Sequence, residues 1–173
     1  MGHEHTGFGK WSMNKSTFDL IRKLLPEGKT ILELGSGWGT SELSKHYKMY
    51  SIEADFSWLD KYNSTYIYAP VKKYDAEYIA PPIPNNTAWH DPEVLKEELP
   101  KIKYDLIFID GPWGNYGRGG FYKHIDLFNT NVPLIFDDIN REPEKILMEK
   151  VSEYLKRPYH LLGDNVTGYI LPE

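Results

Sequence analysis

The chain has 173 residues and a formal net charge of −5, and it contains no basic run, so a nucleic-acid partner is not expected. It has no cysteine, which excludes disulfides, thiolate metal sites and cysteine nucleophiles. Residues 1–173 are predicted to form a single domain. No apolar segment resembles a signal peptide or a membrane span, so we expect a cytoplasmic location and no membrane partner.

The first elements can be predicted from capping residues and apolar spacing. Residues 1–11 are polar and carry several glycines, which predicts a mobile N-terminal segment. Ser12 or Asn14 can cap a helix that runs to about Leu25, because apolar residues recur there at helical spacing. The apolar run from Ile31 to Leu34 then predicts the first strand.

A glycine-rich turn connects this strand to the next helix. Gly35, Gly37 and Gly39 would let the backbone approach a ligand closely, although such a turn is also an ordinary strand-to-helix loop. A second short strand ends in Glu53, and a carboxylate at that position suits a hydrogen bond to ribose hydroxyls. The combination predicts a site for a nucleotide-like cofactor at the carboxyl ends of parallel strands.

The rest of the chain alternates between strands and helices. Residues 72–92 carry four prolines and are predicted to form an irregular insertion that contains a hairpin. The other predicted strands cover Thr65–Val71, Tyr104–Asp110 and Val132–Phe136. The other predicted helices are a short one capped by Asp55 and those over Pro92–Leu99, Phe121–Phe128 and about Pro143–Lys156, and the chain ends in a predicted hairpin of Tyr159–Leu162 with Thr167–Leu171. Such alternation predicts a parallel sheet with helices on both faces.

The run Glu-Leu-Gly-Ser-Gly-Trp-Gly-Thr, followed by Ser-Ile-Glu-Ala-Asp, resembles the first two motifs of class I S-adenosylmethionine-dependent methyltransferases. The resemblance extends from about Ser12 to the end of the chain. It implies an α/β fold with a doubly wound, mostly parallel seven-stranded sheet and a C-terminal antiparallel hairpin, the Rossmann-like methyltransferase fold. It also implies S-adenosyl-L-methionine as the cofactor.

The resemblance further implies which residues bind this cofactor. Gly35, Ser36 and Gly37 would bind the methionine moiety, helped by Glu33 through the amino group or through loop hydrogen bonds, and Glu53 would bind the ribose. The remaining cofactor-binding candidates are Ala54, Trp89, His90 and Asp110.

Carboxylates follow the fourth and fifth predicted strands. Asp110, Asp137 and Asp138 are candidate bases for a hydroxyl acceptor, as is His124. The three acids also resemble the metal-binding carboxylates of catechol-type O-methyltransferases, which implies a Mg²⁺ site, with metal-free catalysis as the alternative. Arg118 is either a clamp for an anionic substrate or a surface residue.

The leading functional hypothesis is methyl transfer to a small-molecule acceptor, at a hydroxyl oxygen of a polyol, sugar or phenol. No Asn-Pro-Pro-Tyr-type tetrapeptide follows the fourth strand, where Asp110-Gly111-Pro112-Trp113 stands instead, and this argues against methylation of nucleic-acid bases. The alternatives are a non-catalytic cofactor-binding module that acts in a complex and an NAD-dependent oxidoreductase. The glycine spacing and the terminal hairpin weigh against the oxidoreductase.

Overall fold

The computed structural model describes residues 13–74, 87–113 and 115–173. Its strands are β1 (Thr30–Leu34), β2 (Lys48–Glu53), β3 (Thr65–Tyr68), β4 (Val71–Lys73), β5 (Ala88–His90), β6 (Leu106–Ile109), β7 (Leu134–Phe136), β8 (Tyr159–Leu161) and β9 (Gly168–Ile170). Its α-helices are α1 (Lys15–Leu24), α2 (Trp38–Leu43), α3 (Pro92–Glu98), α4 (Gly120–Lys123) and α5 (Glu142–Leu155). Single 3₁₀ turns cover Phe56–Trp58, Leu99–Lys101 and Ile125–Leu127.

Seven of these strands form one sheet in the order β3-β2-β1-β6-β7-β9-β8. The first five of that order are parallel, and β9 pairs antiparallel with both β7 and β8. The predicted doubly wound sheet with a terminal antiparallel hairpin is therefore confirmed. The strand order reverses between β1 and β6, which is where an open parallel sheet leaves a crevice for a ligand.

The central strands are buried on both sides because helices cover both faces of the sheet. All four residues of β6 are buried, as are the last four of β1. One hydrophobic cluster lies between α1 and one face of the sheet, and its members include Ile21, Ile31 and Phe108. The other packs α3 and α5 against the opposite face, with Leu95 and Leu147 among its members. These two layers fix the sheet and therefore the positions at which its strands end.

The local predictions differ from the structure in three places. The third strand stops at Tyr68, because Pro70 has no backbone N–H to continue the ladder, and the chain resumes as β4. The helix expected after Asp55 is a single 3₁₀ turn, and Asp60 at φ 59° leaves the helical region. The helix expected over 121–128 is α4 followed by a 3₁₀ turn, divided at His124.

The insertion over residues 72–92 begins and ends in regular structure. β4 and β5 pair antiparallel, with Val71 opposite His90, so its described ends form the two arms of a hairpin. Residues 75–86 lie outside the described part, as do residues 1–12 with the predicted N-terminal segment and Ser12. Asn14 is the N-cap residue of α1 but makes no side-chain capping bond. Within the described ranges, no helix combines the length and apolar character needed to cross a bilayer.

Candidate functional site

A cavity of about 510 Å³ opens at the carboxyl ends of the parallel strands. Its wall comes from the loops after β1, β2, β6 and β7. The lining residues are Gly35, Ser36, Gly37, Glu53, Ala54, Trp58, Asp110, Gly111, Pro112, Trp113, Arg118, Asp137, Asp138 and Arg141. This volume and this mixture of aromatic and convergent polar groups are typical of a small-molecule site.

The turn after β1 is held against the loop after β6. Gly35 has φ +88°, a conformation that favours glycine, and a Cβ there would lie 3.1 Å from the carbonyl oxygen of Asp110. A Cβ on Gly111 would lie 2.9 Å from the Gly35 nitrogen and Cα, so the two glycines permit this backbone contact together. Gly37 has an extended backbone at φ −168°, which any residue can adopt.

Hydrogen bonds beneath the turn fix its shape. The Gly37 N–H donates to Thr40 Oγ1 at 3.0 Å, and Thr40 Oγ1 donates in turn to Glu33 Oε1 at 2.6 Å. Ser51 donates to the same Glu33 oxygen. Glu33 is buried and is not part of the cavity wall, so it holds the loop rather than facing a ligand. Its burial raises the pKa of this carboxyl to about 8, against the lowering effect of the Ser51 and Thr40 hydrogen bonds.

Glu53 connects the turn to the end of β2. Its Oε2 accepts from the Ser36 N–H at 2.9 Å, and its Oε1 accepts from the N–H groups of Ala54 at 2.8 Å and Asp55 at 3.0 Å. The side chain lines the cavity, and burial raises its pKa although these three bonds act in the opposite direction. A carboxylate positioned by backbone amides at this strand end can still accept from a ligand hydroxyl.

The acids after β6 and β7 form one cluster. Asp110, Asp137 and Asp138 each offer an oxygen atom, and these atoms lie within 4.8 Å of one another. Asp138 has φ 59°, a left-handed conformation that aspartate tolerates better than most residues. Burial and then the neighbouring acid raise the pKa of Asp110 well above its usual value and that of Asp137 to about 6. Neither Asp137 nor Asp138 caps α5, whose N-cap is Arg141.

Two arginines contact this acid cluster. Arg118 is 5% exposed, and its Nη2 donates to Asp138 Oδ2 at 2.9 Å and to Asp110 Oδ1 at 3.3 Å. Arg141 is half exposed and lies 3.1 Å from the same Asp138 oxygen. Arg118 is thus neither a surface residue nor a free clamp for an anion, which were the two roles considered from the sequence.

Three residues expected at the site lie elsewhere. Trp89 is 1% exposed and packs in the core, where its ring stacks on His124 at 5.6 Å and where Gly120 leaves room for the indole. His90 is also 1% exposed, and its Nδ1 lies 3.1 Å from the Ala69 carbonyl oxygen. None of these side chains lines the cavity. These three expectations are therefore corrected. Trp89 and His90 do not lie at cofactor-binding positions and His124 does not lie at a catalytic position, because all three side chains pack outside the cavity wall.

No protein-family model matches the chain, and no curated protein matches it. Among solved structures, it is similar to a methyltransferase-like protein from Silicibacter pomeroyi, with 18% identity, a TM-score of 0.57 and coverage of 97% of this chain and 91% of that one. A TehB-like SAM-dependent methyltransferase from Corynebacterium glutamicum gives 13% identity, a TM-score of 0.53 and coverages of 94% and 90%. A precorrin 8w decarboxylase from Methanobacterium thermoautotrophicum gives 16% identity, a TM-score of 0.56 and coverages of 95% and 95%.

The chain has the fold of the class I S-adenosylmethionine-dependent methyltransferases. Its strand order and antiparallel β9 are the features that carry this assignment, and the structural similarity covers 97% of the chain in one comparison and 94% in another. At these identities the similarity shows the fold alone. The chemistry therefore depends on the residues at the strand ends of this fold.

Sequence reasoning missed three residues of the cavity wall, Trp58, Trp113 and Arg141, and it named Arg118 without its acid partners. For the two tryptophans a signal existed, since an aromatic residue in a loop beside a strand end can line a pocket. For Arg141, and for the pairing of Arg118 with the acids, there was none, because both depend on how the loops after β6 and β7 meet. In a methyltransferase fold these loops lie side by side, and this brings Arg118 to Asp138 across 20 positions of sequence.

Proposed function

We propose that the cavity binds S-adenosyl-L-methionine and that the protein transfers its methyl group to a hydroxyl oxygen of a small molecule. One observation carries this proposal. The glycine turn after β1, the Glu53 carboxylate and the acids after β6 and β7 line a single cavity. The half that would bind the cofactor and the half that bears the acids thus share one cavity, which a methyl transfer between two bound molecules requires.

The residues present fit this cofactor. The turn at Gly35, Ser36 and Gly37 would hold the methionine end, because its backbone is open to the cavity and is fixed from below by Thr40. Glu53 would accept from the ribose hydroxyls. Trp58, which lines the cavity beside Ala54, would provide an aromatic surface for the adenine ring.

The charge of the wall supports the same assignment. Four carboxylates line the cavity, those of Glu53, Asp110, Asp137 and Asp138, against the two guanidinium groups of Arg118 and Arg141. Carboxylate oxygens suit a sulfonium cation, and a wall in which acids outnumber arginines disfavours a polyanionic acceptor such as a nucleic acid. A neutral hydroxyl compound is the acceptor class that this wall favours.

The acid cluster would remove the acceptor's proton. When bound, S-adenosyl-L-methionine supplies an electrophilic methyl group. The Asp110–Asp137 pair would take the proton of the acceptor hydroxyl as its oxygen accepts the methyl group, and S-adenosylhomocysteine would leave. The raised pKa of Asp137, about 6, makes this pair a stronger base than an ordinary aspartate. Asp138 forms ion pairs with both arginines and would hold them against the cluster.

Calorimetry with S-adenosylmethionine, S-adenosylhomocysteine and NAD, each added to the same protein preparation, tests the cofactor. We expect saturable binding of the first two and none of NAD. A screen of polyol, sugar and phenolic acceptors for S-adenosylhomocysteine release tests the reaction. Binding of NAD alone would overturn the proposal, and cofactor binding without turnover on any hydroxyl acceptor would favour a non-catalytic binding module.

A further inference from the structure

The position of Arg118 within the acid cluster is fixed from several sides. Its Nε donates to the Pro112 carbonyl at 3.3 Å, and its Nη1 donates to the Asp137 carbonyl at 3.2 Å. Its Nη2 lies between Asp110 Oδ1 and Asp138 Oδ2. The guanidinium is planar and buried. If it moved away from the acids, it would also lose its two hydrogen bonds to backbone carbonyls. Arg118 is therefore an integral part of the cluster.

A divalent cation would need the same space. By their spacing, Asp110, Asp137 and Asp138 are the group of described residues that could hold a metal ion. Mg²⁺ would require their oxygens at about 2.0–2.1 Å in near-octahedral geometry. Two of the three acids already accept from Arg118, so an ion on those oxygens would lie within a few ångströms of a fixed positive charge. Like charges at that separation in a buried site repel strongly.

We infer that Arg118 is the resident cation of this cluster, occupying the place that a divalent metal ion would otherwise take. It holds Asp110 and Asp138 together and offsets their charge, and it makes the site independent of divalent metal. This inference deepens the proposed function, since a methyl transfer at the cavity would then be metal-free. Arg118 is a positioning residue here, because it acts through the carboxylates.

Metal binding by the intact protein tests the inference without an acceptor. Titration with Mg²⁺ by calorimetry, and with Mn²⁺ by electron paramagnetic resonance, should give no saturable site in the wild-type protein. A saturable site that is lost in Asp110→Asn would overturn the inference. Because this measurement needs only the wild type and one conservative variant, it remains decisive even if substitution of Arg118 prevents folding.

The complementary variant is Arg118→Met, which keeps much of the side-chain length but removes the guanidinium. We expect this variant to gain a saturable Mn²⁺ signal, because three close carboxylates would then have no buried counter-ion. Arg141→Met is the matched control: it also removes an arginine from Asp138, but that side chain is half exposed, and no gain is expected. A folded Arg118→Met protein without a Mn²⁺ site, or equal gains in both variants, would contradict the inference.

These experiments distinguish a failure of the inference about Arg118 from a failure of the proposed function. If the wild type binds S-adenosylmethionine and also a metal ion at Asp110, the proposed function stands and the role of Arg118 fails. If it binds neither, the proposed cofactor fails while the role of Arg118 stands. Once an acceptor is known, treatment with EDTA should leave the initial rate of methyl transfer unchanged. A rate that EDTA lowers and Mg²⁺ restores would contradict the proposed role of Arg118.

Discussion

The Glu53 carboxylate accepts three backbone hydrogen bonds, two at Oε1 and one at Oε2. Each carboxylate oxygen has two lone pairs, so Oε2 can accept one more bond from the cavity side. The same side chain thus shapes the loop and offers an acceptor to a ligand. Two kinds of substitution separate these roles, one that keeps an acceptor oxygen and one that removes the whole group.

We expect Glu53→Gln to remain folded and to bind S-adenosylmethionine more weakly by about 1.5–3 kcal/mol, since a charged acceptor is lost. Glu53→Ala should lose at least as much affinity and also destabilise the loop at Ser36. Calorimetry measures the affinities and urea unfolding the stabilities. Glu97→Gln, at an exposed side chain, is the control. Wild-type affinity in a folded Glu53→Gln protein would remove this carboxylate from the site.

Neutralising one acid of the proposed base pair should separate binding from turnover. We expect Asp110→Asn to bind the cofactor as the wild type does but to turn over roughly 10²–10⁴-fold more slowly, because a general base acts only in the transition state. The readouts are the dissociation constant and kcat with an acceptor found by screening. Asp138→Asn, which keeps a residue suited to φ 59°, should lose less. The reverse ranking would assign the base to Asp138.

Glu33 gives the stability a defined pH dependence. Its folded-state pKa of about 8 lies above the ordinary value of 4.5 for this carboxyl, so the unfolded chain loses this proton first as the pH rises. The free energy of unfolding should therefore fall between about pH 4.5 and pH 8, by roughly 3–5 kcal/mol from this group alone. Glu33→Gln should lessen this fall. Urea unfolding at pH 5 and pH 8 measures it, and an unchanged slope in the variant would contradict the assignment.

At the scale of the elements, α4 packs closely against β5 at one glycine, Gly120. A Cβ on Gly120 would lie 2.1 Å from Trp89 Cγ, so the helix backbone approaches the indole more closely than any other residue type allows. Phe121 and His124 on the same segment also contact aromatic neighbours in this region. The position of Trp89 in the core, and hence its absence from the cavity, depends on this contact.

Gly120→Ala should therefore destabilise the protein by about 1–3 kcal/mol through overpacking. Gly163→Ala provides a matched control, because a Cβ on Gly163 would meet no atom within 4 Å. Urea or thermal unfolding of the two variants makes the comparison. Equal stabilities would mean that α4 does not rest on Trp89 as described.

The elements also show what a sequence can and cannot reveal. The apolar runs of β1 and β6 and the glycine turn between β1 and α2 carry local signals, and the strand ends at Glu53 and Asp110 follow from them. The burial of Trp89 depends on Gly120, which lies 31 positions away, and the pairing of Arg118 with Asp138 depends on two loops meeting. Such contacts arise from tertiary packing, which one sequence read element by element does not contain.

At the scale of the whole molecule, polar bonds connect α1 to the turn between β8 and β9. Ser16 Oγ donates to Asp164 Oδ2 at 2.7 Å, and the hydroxyls of Thr17 and Thr167 are 2.7 Å apart. Asp164 also accepts from the N–H groups of Val166 and Thr167 and from the Thr167 hydroxyl. One side chain thus organises the turn and joins segments that are almost 150 positions apart.

We expect Asp164→Ala to lower the free energy of unfolding by about 1.5–3 kcal/mol, because hydrogen bonds to a charged acceptor are lost. Asp19→Ala, which removes an exposed ion pair with Lys15, should cost at most about 1 kcal/mol. Cofactor affinity should be unaffected, since Asp164 is not part of the cavity wall. Equal effects of the two substitutions would show that the link between α1 and the hairpin is not important for stability.

The insertion of β9 between β7 and β8 has a consequence for biosynthesis. On the ribosome, β8 emerges before β9, yet among the described strands β9 is the neighbour that attaches β8 to the sheet. Until Gly168–Ile170 arrives, the nascent chain presents the unpaired edge of β7, a surface that invites pairing with other chains. Parallel assembly up to β7 can proceed during translation, whereas the closing step waits for the final strand of the sheet. The interval between them is the period in which a holding chaperone would protect this chain.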